Sequence, residues 1–334
     1  MRVDKGSTAN PQKVMSSVQF LNKYSLYNHD LGRRETWEET VARVVSYLKE
    51  VGGKVIPEAT YEELYRAILL HEVSPSMRLM ATAGKGARRN QISIYNCSYL
   101  PLQDTEDFHD LAMLLGHGVG VGFSVESEYV SRWPKLDTIY KGTYTVVVPD
   151  NIEGWAMSFK LLLDNYYSGY KTIFDYSKIR PAGSPLLTRG GHASGPESLR
   201  VAHENIEEVL NNRAGLGLRS VDLLDIACYV AQCIVSGGVR RSAAIAIFDK
   251  DDSLMLEAKS GDWWMRNLQR SLVNISQVVT EHMEESEWLD YLMLMDKNKS
   301  GEPGIWSRYA IEHVLPERRQ HVKGFGPNPL SVVA

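Results

Sequence analysis

The stretch ISIYNCSYLPLQDTEDFHDLAMLLGHGVGVGFSVE (92–126) sets the fold class. Its first part, ISIYNCSYL (92–100), is rich in β-branched and aromatic residues and reads as a strand. DTEDFHDLAMLLGHG (104–118) reads as a helix: Asp104 or Thr105 supplies the capping oxygen and Gly116 stands near its end. VGVGFSVE (119–126) reads as a second strand. Strand, helix and strand in succession form the building unit of an α/β sheet.

The alternation continues outward to residue 249. Within 127–176 the character is mixed, with TYTVVVPD as a strand and IEGWAMSFKLLLDNYY as a helix. YSKIRPAGSPLLTRGGHASGP (176–196) is a long Gly-, Pro- and Ser-rich loop, and such loops inside compact domains usually carry function. ESLRVAHENIEEVLNN and SVDLLDIACYVAQCIVSG are two helices, and VRRSAAIAIFD (239–249) is a buried strand. Residues 262–298 read as helix and linker with a strand near VNISQVV, and GEPGIWSRYAIEHV opens another helix. On the other side, residues 1–90 are mostly helical. A helix starts at Glu35–Glu39, and TYEELYRAILLHEV follows with Thr60 and Glu63 as a capping box.

Composition bounds the function. The chain has 334 residues, 43% hydrophobic and 23% charged, with a formal charge of −4. That is enough chain to bury a core, and it excludes general disorder. The slight acidity argues against a nucleic-acid-wrapping protein. No apolar run approaches the roughly 18 residues of a membrane span, and MRVDKGSTANPQ has no signal-peptide core. A cytoplasmic location is therefore expected. There the three cysteines, Cys97, Cys228 and Cys233, are either small buried hydrophobes or reactive thiols.

GHGVGVG (116–122) invites a dinucleotide-binding reading, but its glycines follow a helix and open a strand, the reverse of the phosphate-binding order. It reads instead as a helix end followed by a strand whose face something approaches closely. Cys97 lies in a strand beside Asn96. Cys228 and Cys233 lie five apart on an apolar helix, point in different directions and read as packing residues. No pair has metal-ligand spacing. SGGVRRSA (236–243) joins a helix to a strand, with two glycines that free the backbone and two arginines able to donate to phosphate or base edges. Lys178, Arg180 and Arg189 punctuate the 176–196 loop. The nine histidines show no spaced cluster, and neither His192 in the glycine loop nor His117 between glycines has a visible carboxylate or serine partner, so hydrolase chemistry has no support.

Taken in chain order, these features become specific. LGRRETWEETV (31–41), SPSMRLMATAG (74–84), NC (96–97), GVGVGFSV (118–125), KIRPAGSPLLTRGGHASGP (178–196), EVLNNRAG (208–215), SGGVRRSA (236–243), GEPGI (301–305) and GPNP (326–329) together resemble the adenosylcobalamin-dependent ribonucleoside-triphosphate reductases, the single-chain type of class II ribonucleotide reductase. The resemblance implies an α/β fold, the first half of a ten-stranded barrel whose centre is threaded by a finger loop. It implies residues 1–90 as a helical N-terminal region and 91–334 as the half-barrel. Within the latter, 127–176 stand where the single-chain type carries an insertion in place of a dimer interface.

The same resemblance assigns residues. Cys97 matches one of the two thiols that reduce the substrate ribose and become a disulfide. Asn328, at the start of the finger loop, matches a catalytic position. Ser76 and Asn96 match substrate phosphate and sugar contacts, and Gly120 and Gly122 match bare backbone against which the nucleotide lies. Asp104 and Arg180 match effector-nucleotide contacts. Residues 181–192, with Arg189, Gly190 and Gly191, match the first specificity loop, and 236–242, with Gly237, Gly238, Arg240 and Arg241, the second. Implied partners are a ribonucleoside triphosphate substrate, a deoxynucleoside triphosphate effector and a thioredoxin-like reductant. The implied cofactor is adenosylcobalamin, held largely outside this chain; no metal, nucleic acid or membrane partner is implied.

One departure matters. The family pattern continues from Asn-Pro into Cys-Gly-Glu, whose cysteine carries the radical. Here GPNP is followed by Leu330-Ser331-Val332-Val333-Ala334. A split gene, an interrupted or frameshifted gene, or a truncated sequence each fits. The expectation is that this chain is inactive alone and joins a complementary C-terminal half. Alternatives are a non-catalytic nucleotide-binding remnant, or half of a reductase of another radical class.

Overall fold

The computed structural model describes residues 11–137, 140–185, 192–236, 243–320 and 324–329. The chain divides into two units, Met1–Asn96 and Cys97–Ala334.

The first unit is helical: α1 (Pro11–Lys23), α2 (Trp37–Gly52), α3 (Glu58–Leu69) and α4 (Met77–Thr82). Thr36 caps α2 and Glu39 returns the bond, so a capping box stands at the start expected there. Val41, Val44 and Val45 bury the inner stripe of this helix. Arg43 pairs with Glu35 at 2.9 Å and donates to the carbonyls of Ala83, Tyr24 and Met80, anchoring three segments at one half-buried charge. The capping box expected at Thr60 is absent. Pro57 precedes α3 in extended conformation and its carbonyl accepts from the Thr60 amide at 3.0 Å, so Thr60 already lies within the helix. Proline at this position presets the helix entrance earlier than the threonine would.

The second unit is built on a five-stranded parallel sheet. Its strands are β1 (Cys97–Pro101), β2 (Gly120–Ser124), β5 (Ala244–Asp249), β6 (Val273–Val279) and β7 (Gly304–Ser307), paired in that order. A second, two-stranded parallel sheet joins β3 (Gly142–Val147) to β4 (Tyr170–Asp175). The main helices are α5 (Thr105–Gly116), α6 (Ile152–Tyr167), α7 (Glu197–Asn212), α8 (Ser220–Ser236), α9 (Glu285–Asn298) and α10 (Arg308–Val314).

Strand order in the large sheet follows chain order, and every pairing is parallel. Right-handed crossovers between successive neighbours then carry their helices to one face. Register shows which face that is. Val121 and Phe123 stand level with Ala244 and Ala246, which face Val273 and Ile275, and all six are buried. Helix α5, with Phe108, Leu111, Ala112 and Leu115 buried, packs against β1 and β2. The opposite face carries Cys97, Tyr99, Gly120, Gly122, Ile245 and Asn274.

Three element assignments differ from the sequence reading. Residues 91–94 form a tight 3₁₀ turn capped by Asn90, so the strand starts at Cys97 rather than Ile92. GIWS (304–307) is the fifth strand of the sheet, and the helix starts only at Arg308. Tyr170–Asp175 is an additional strand; it follows Gly169 at φ +76, a left-handed turn that suits glycine. No described helix is long and apolar enough to cross a membrane.

Candidate active site on the helix-free face

Parallel pairing puts Cys97 level with Gly120 and Tyr99 level with Gly122. These four residues form a patch on the face that the crossover helices leave free. The segment Gly324–Pro329 lies across it. At Gly122, a β-carbon would stand 1.7 Å from the Pro327 carbonyl oxygen and 3.3 Å from the Asn328 α-carbon. At Gly120, it would stand 3.3 Å from the Pro329 ring, 3.4 Å from the Ala243 carbonyl and 3.6 Å from the Cys97 sulfur. At Gly326, it would stand 2.1 Å from the Tyr99 ring, and at Gly324, 3.1 Å from the Tyr129 hydroxyl. The segment therefore runs opposite to β2, from Tyr129 beyond its C-terminal end to Gly120 at its start.

The close approach expected at the glycines is present, but its partner differs. The chain's own Pro327–Pro329, not a nucleotide, fills the bare backbone of Gly122. A side chain there would displace the segment. Gly122 is accordingly the seat of this segment. Gly120 lies where Cys97 and Pro329 converge.

Polar groups back this patch. Arg308, the first residue of α10, holds both oxygens of Glu126 at 2.8 and 2.9 Å, and Glu126 accepts from the Ser124 hydroxyl at 2.7 Å. Glu126 is buried, and its hydrogen bond holds Arg308 above the usual guanidinium range. Tyr99 is pushed up from its ordinary value, first by burial and next by the Glu126 charge, so the phenol stays protonated. Its hydroxyl is buried without a well-formed hydrogen bond, with Ser124 close enough to weigh on it, and Nε of Arg308 is buried without a partner.

The three thiols separate by environment. Cys97 is half-buried, whereas Cys228 and Cys233 are fully buried on α8. Burial pushes the Cys233 thiol up to about 12 and Cys228 further, which removes both from thiolate chemistry near neutrality.

Of the residues expected at the site, Cys97, Gly120, Gly122 and Asn328 come together. Asn96 immediately precedes Cys97 and is exposed. Ser76 is exposed before α4 and forms no capping bond. Asp104 caps α5, accepting from the Glu106 and Asp107 amides at 2.9 and 3.3 Å. Arg180 pairs with Asp150 at 2.6 Å. Arg189, Gly190, Gly191, Gly237, Gly238, Arg240 and Arg241 lie outside the described residues. Sequence reasoning missed Tyr99, Glu126, Arg308 and Gly326. Only Gly326, inside GPNP, carried a local signal.

No protein-family model matches the chain. It is 31% identical over 309 residues to an adenosylcobalamin-dependent ribonucleoside-triphosphate reductase of Lactobacillus delbrueckii subsp. bulgaricus, covering 72% of this chain and 42% of that protein. It is 30% identical over 270 residues to one of Euglena gracilis, covering 74% and 36%. Its structure is similar to the crystal structure of a B12-dependent (class II) ribonucleotide reductase, with TM-score 0.76, 25% identity, and coverage of 89% of this chain and 51% of that one. The matched region is thus less than half of each curated relative and about half of the solved chain.

Proposed function

We propose, from the premise that this chain belongs to the adenosylcobalamin-dependent ribonucleoside-triphosphate reductases, that the Cys97 face is the substrate wall of a ribonucleotide-reducing site. The convergence of the Cys97 sulfur and the Pro329 ring on Gly120 carries this reading. It sets one thiol on a rigid strand beside an incoming segment, the arrangement that a thiol acting on a bound sugar needs.

In this reading the parallel sheet is the first half of a ten-stranded barrel, with 127–176 inserted in place of a dimer interface. A parallel sheet is ordinarily covered on both faces, and here the crossover helices supply only one cover. The segment 324–329 is then the base of the finger loop.

Reduction replaces the ribose 2′-hydroxyl by hydrogen and releases water. Two thiols supply the hydrogens and electrons and close to a disulfide, which an external dithiol reductant of the thioredoxin type reopens. Cys97 is one of these thiols. Cys228 and Cys233 are unsuited as its partner, being buried on α8, so the second sulfur comes from outside the described residues. Asn96 and Ser76 are carried forward as substrate contacts. The effector, a deoxynucleoside triphosphate, is assigned to Asp104, Arg180 and loops 181–192 and 236–242.

The relatives' dependence on adenosylcobalamin is carried to the complete enzyme. The described residues do not make a bed for its corrin ring. The bare backbone at Gly120 and Gly122 is already covered by Pro329 and Pro327. No residue here is assigned to hold the cofactor, and no step is routed through it. Both reported relatives are named as cobalamin-dependent, which gives no support to another radical class.

Residues 1–334 alone are expected to produce no deoxynucleotide. Mixed with the portion that matches the remainder of the relatives, plus adenosylcobalamin and a dithiol, they are expected to restore it. Turnover by 1–334 alone, or no turnover by the mixture once both parts are shown to associate, would overturn the proposal.

A further inference from the structure

The path of the 324–329 segment is fixed by contacts spaced along the sheet face. Gly324 meets the Tyr129 hydroxyl, Gly326 the ring of Tyr99, Pro327 the backbone of Gly122, and Pro329 the space shared by Gly120 and Cys97. One of these, Pro327 on Gly122, is a backbone approach that only glycine permits. At Gly326 the neighbour is a side chain, and it is rigid. Its ring stands on the same strand as Cys97, two residues on and so on the same face, about 6.6 Å away along the strand.

We infer that Tyr99 is a positioning residue of this site: its ring is the stop against which Gly326 seats, and that seat sets how closely Pro329 approaches the Cys97 thiol beside Gly120. The inference rests on Cys97 being the reacting thiol, as proposed above. The ring has little room to yield. Its hydroxyl end is buried, and the Glu126–Arg308 pair, tied by two hydrogen bonds, lies within electrostatic reach of it. A methyl group on residue 326 would meet the ring 2.1 Å from Cε2 and 2.5 Å from Cζ, so the segment rather than the ring must move. Lifting the segment at 326 draws Pro329, three residues on, away from the space beside Gly120 that it shares with the sulfur. The hydroxyl of Tyr99 makes no well-formed bond that would fix the ring in place, so the ring itself is what the seat requires.

Alkylation of Cys97 reads the seat directly and needs no turnover. The full chain, thiols reduced, is treated with iodoacetamide under native conditions and the adducts are counted at each cysteine by mass spectrometry. Cys228 and Cys233, both fully buried, report any general opening of the fold. G326A and Y99A are expected to raise the Cys97 rate about tenfold while Cys228 and Cys233 stay unlabelled. Y99F, which keeps the ring, is expected to stay within twofold of the parent. G122A, which displaces Pro327 from the other side, is expected to behave as G326A and covers the case in which Y99A fails to fold. An unchanged Cys97 rate in G326A and G122A overturns the inference, as does a rise in Y99F equal to that in Y99A. A rise that Cys228 shares in every variant also overturns it, since the effect would then be global. If labelling behaves as expected but loss of Cys97 leaves the complete enzyme active, the assignment of function fails and the seat stands.

Discussion

Arg308 and Glu126, 182 residues apart in the chain, meet through two hydrogen bonds of 2.8 and 2.9 Å. Glu126 follows β2 and Arg308 follows β7, with β5 and β6 between them. Adjacent strands lie about 4.8 Å apart, so three steps of a flat sheet span roughly 14 Å. The pair forms because the sheet curls at this end or the chain beyond Ser307 leans inward, and it holds that geometry once formed. Removing one partner leaves the other buried and unpaired. E126Q or R308M is expected to lower stability by roughly 3–5 kcal/mol, and the double variant by less than the sum. Urea titration of the four proteins checks this; single variants within about 1 kcal/mol of the parent would show the pair to be dispensable.

Tyr99 permits the opposite expectation at the same place. Its hydroxyl is buried without a well-formed bond, the Ser124 hydroxyl being close enough to weigh on it, and so recovers little of its desolvation cost. Y99F is expected to leave stability unchanged or raise it by about 1–3 kcal/mol. A shift in thermal midpoint downward by several degrees would reveal a bond that the structure lacks.

His203 supplies a pH dependence. It is buried between α6 and β4, with Nε2 2.9 Å from the Ser158 hydroxyl, Nδ1 2.9 Å from the Tyr176 hydroxyl, and the Phe174 ring stacked at 3.9 Å. Burial holds its pKa at about 3, below the ordinary 6.5. Below pH 6.5 the unfolded chain takes up a proton that the folded chain refuses. Stability from this group is therefore complete above about 6.5 and falls as pH drops toward 3, by roughly 1.4 kcal/mol per unit. Between pH 7.5 and 5 the loss is expected to be about 2 kcal/mol. Glu197, held low by Arg200, loses its bonded state at acid pH too. The difference in slope between the parent and H203Q isolates the histidine, and equal slopes would rule its contribution out.

How far the molecule can be read from its sequence depends on how local each feature is. The strand–helix–strand unit, Cys97 to Ser124 in the fold, is legible because composition, an Asp104 cap and a terminal glycine all act within one turn or one pleat, although its start is read five residues early. Thr60 misleads for a local reason as well, since Pro57 three residues earlier sets the helix entrance first. The Tyr170–Asp175 strand is harder: it belongs to a two-stranded sheet with one exposed face, and Tyr170, Lys171 and Ile173 face solvent, so its apolar alternation is faint. The Glu126–Arg308 pair leaves no mark in the sequence at all, because nothing near either residue announces the other. Gly122 lies between these cases. Its need for open space is visible, but what fills the space, a carbonyl from 205 residues downstream, emerges only from the fold.

The thiols allow the sharpest separation of roles. Cys97 lies half-buried beside Gly120 and Pro329, while Cys228 and Cys233 are sealed in α8, where burial pushes Cys233 up to about 12. A sulfur that must give up its hydrogen to a sugar and later face an external dithiol has to be reachable, and only the first is. In the reconstituted complete enzyme, C97S is expected to abolish deoxynucleotide formation with a dithiol reductant, with a change in stability of no more than about 0.5 kcal/mol at this half-buried position. C233A is expected to keep the chemistry and to cost stability instead, on the order of 1 kcal/mol, through the small cavity it leaves in α8. Product formation per enzyme, measured alongside a urea midpoint for each variant, tells the two effects apart. Parent-level turnover in C97S would remove the sulfur at the centre of the proposed site, whatever the fate of the fold around it.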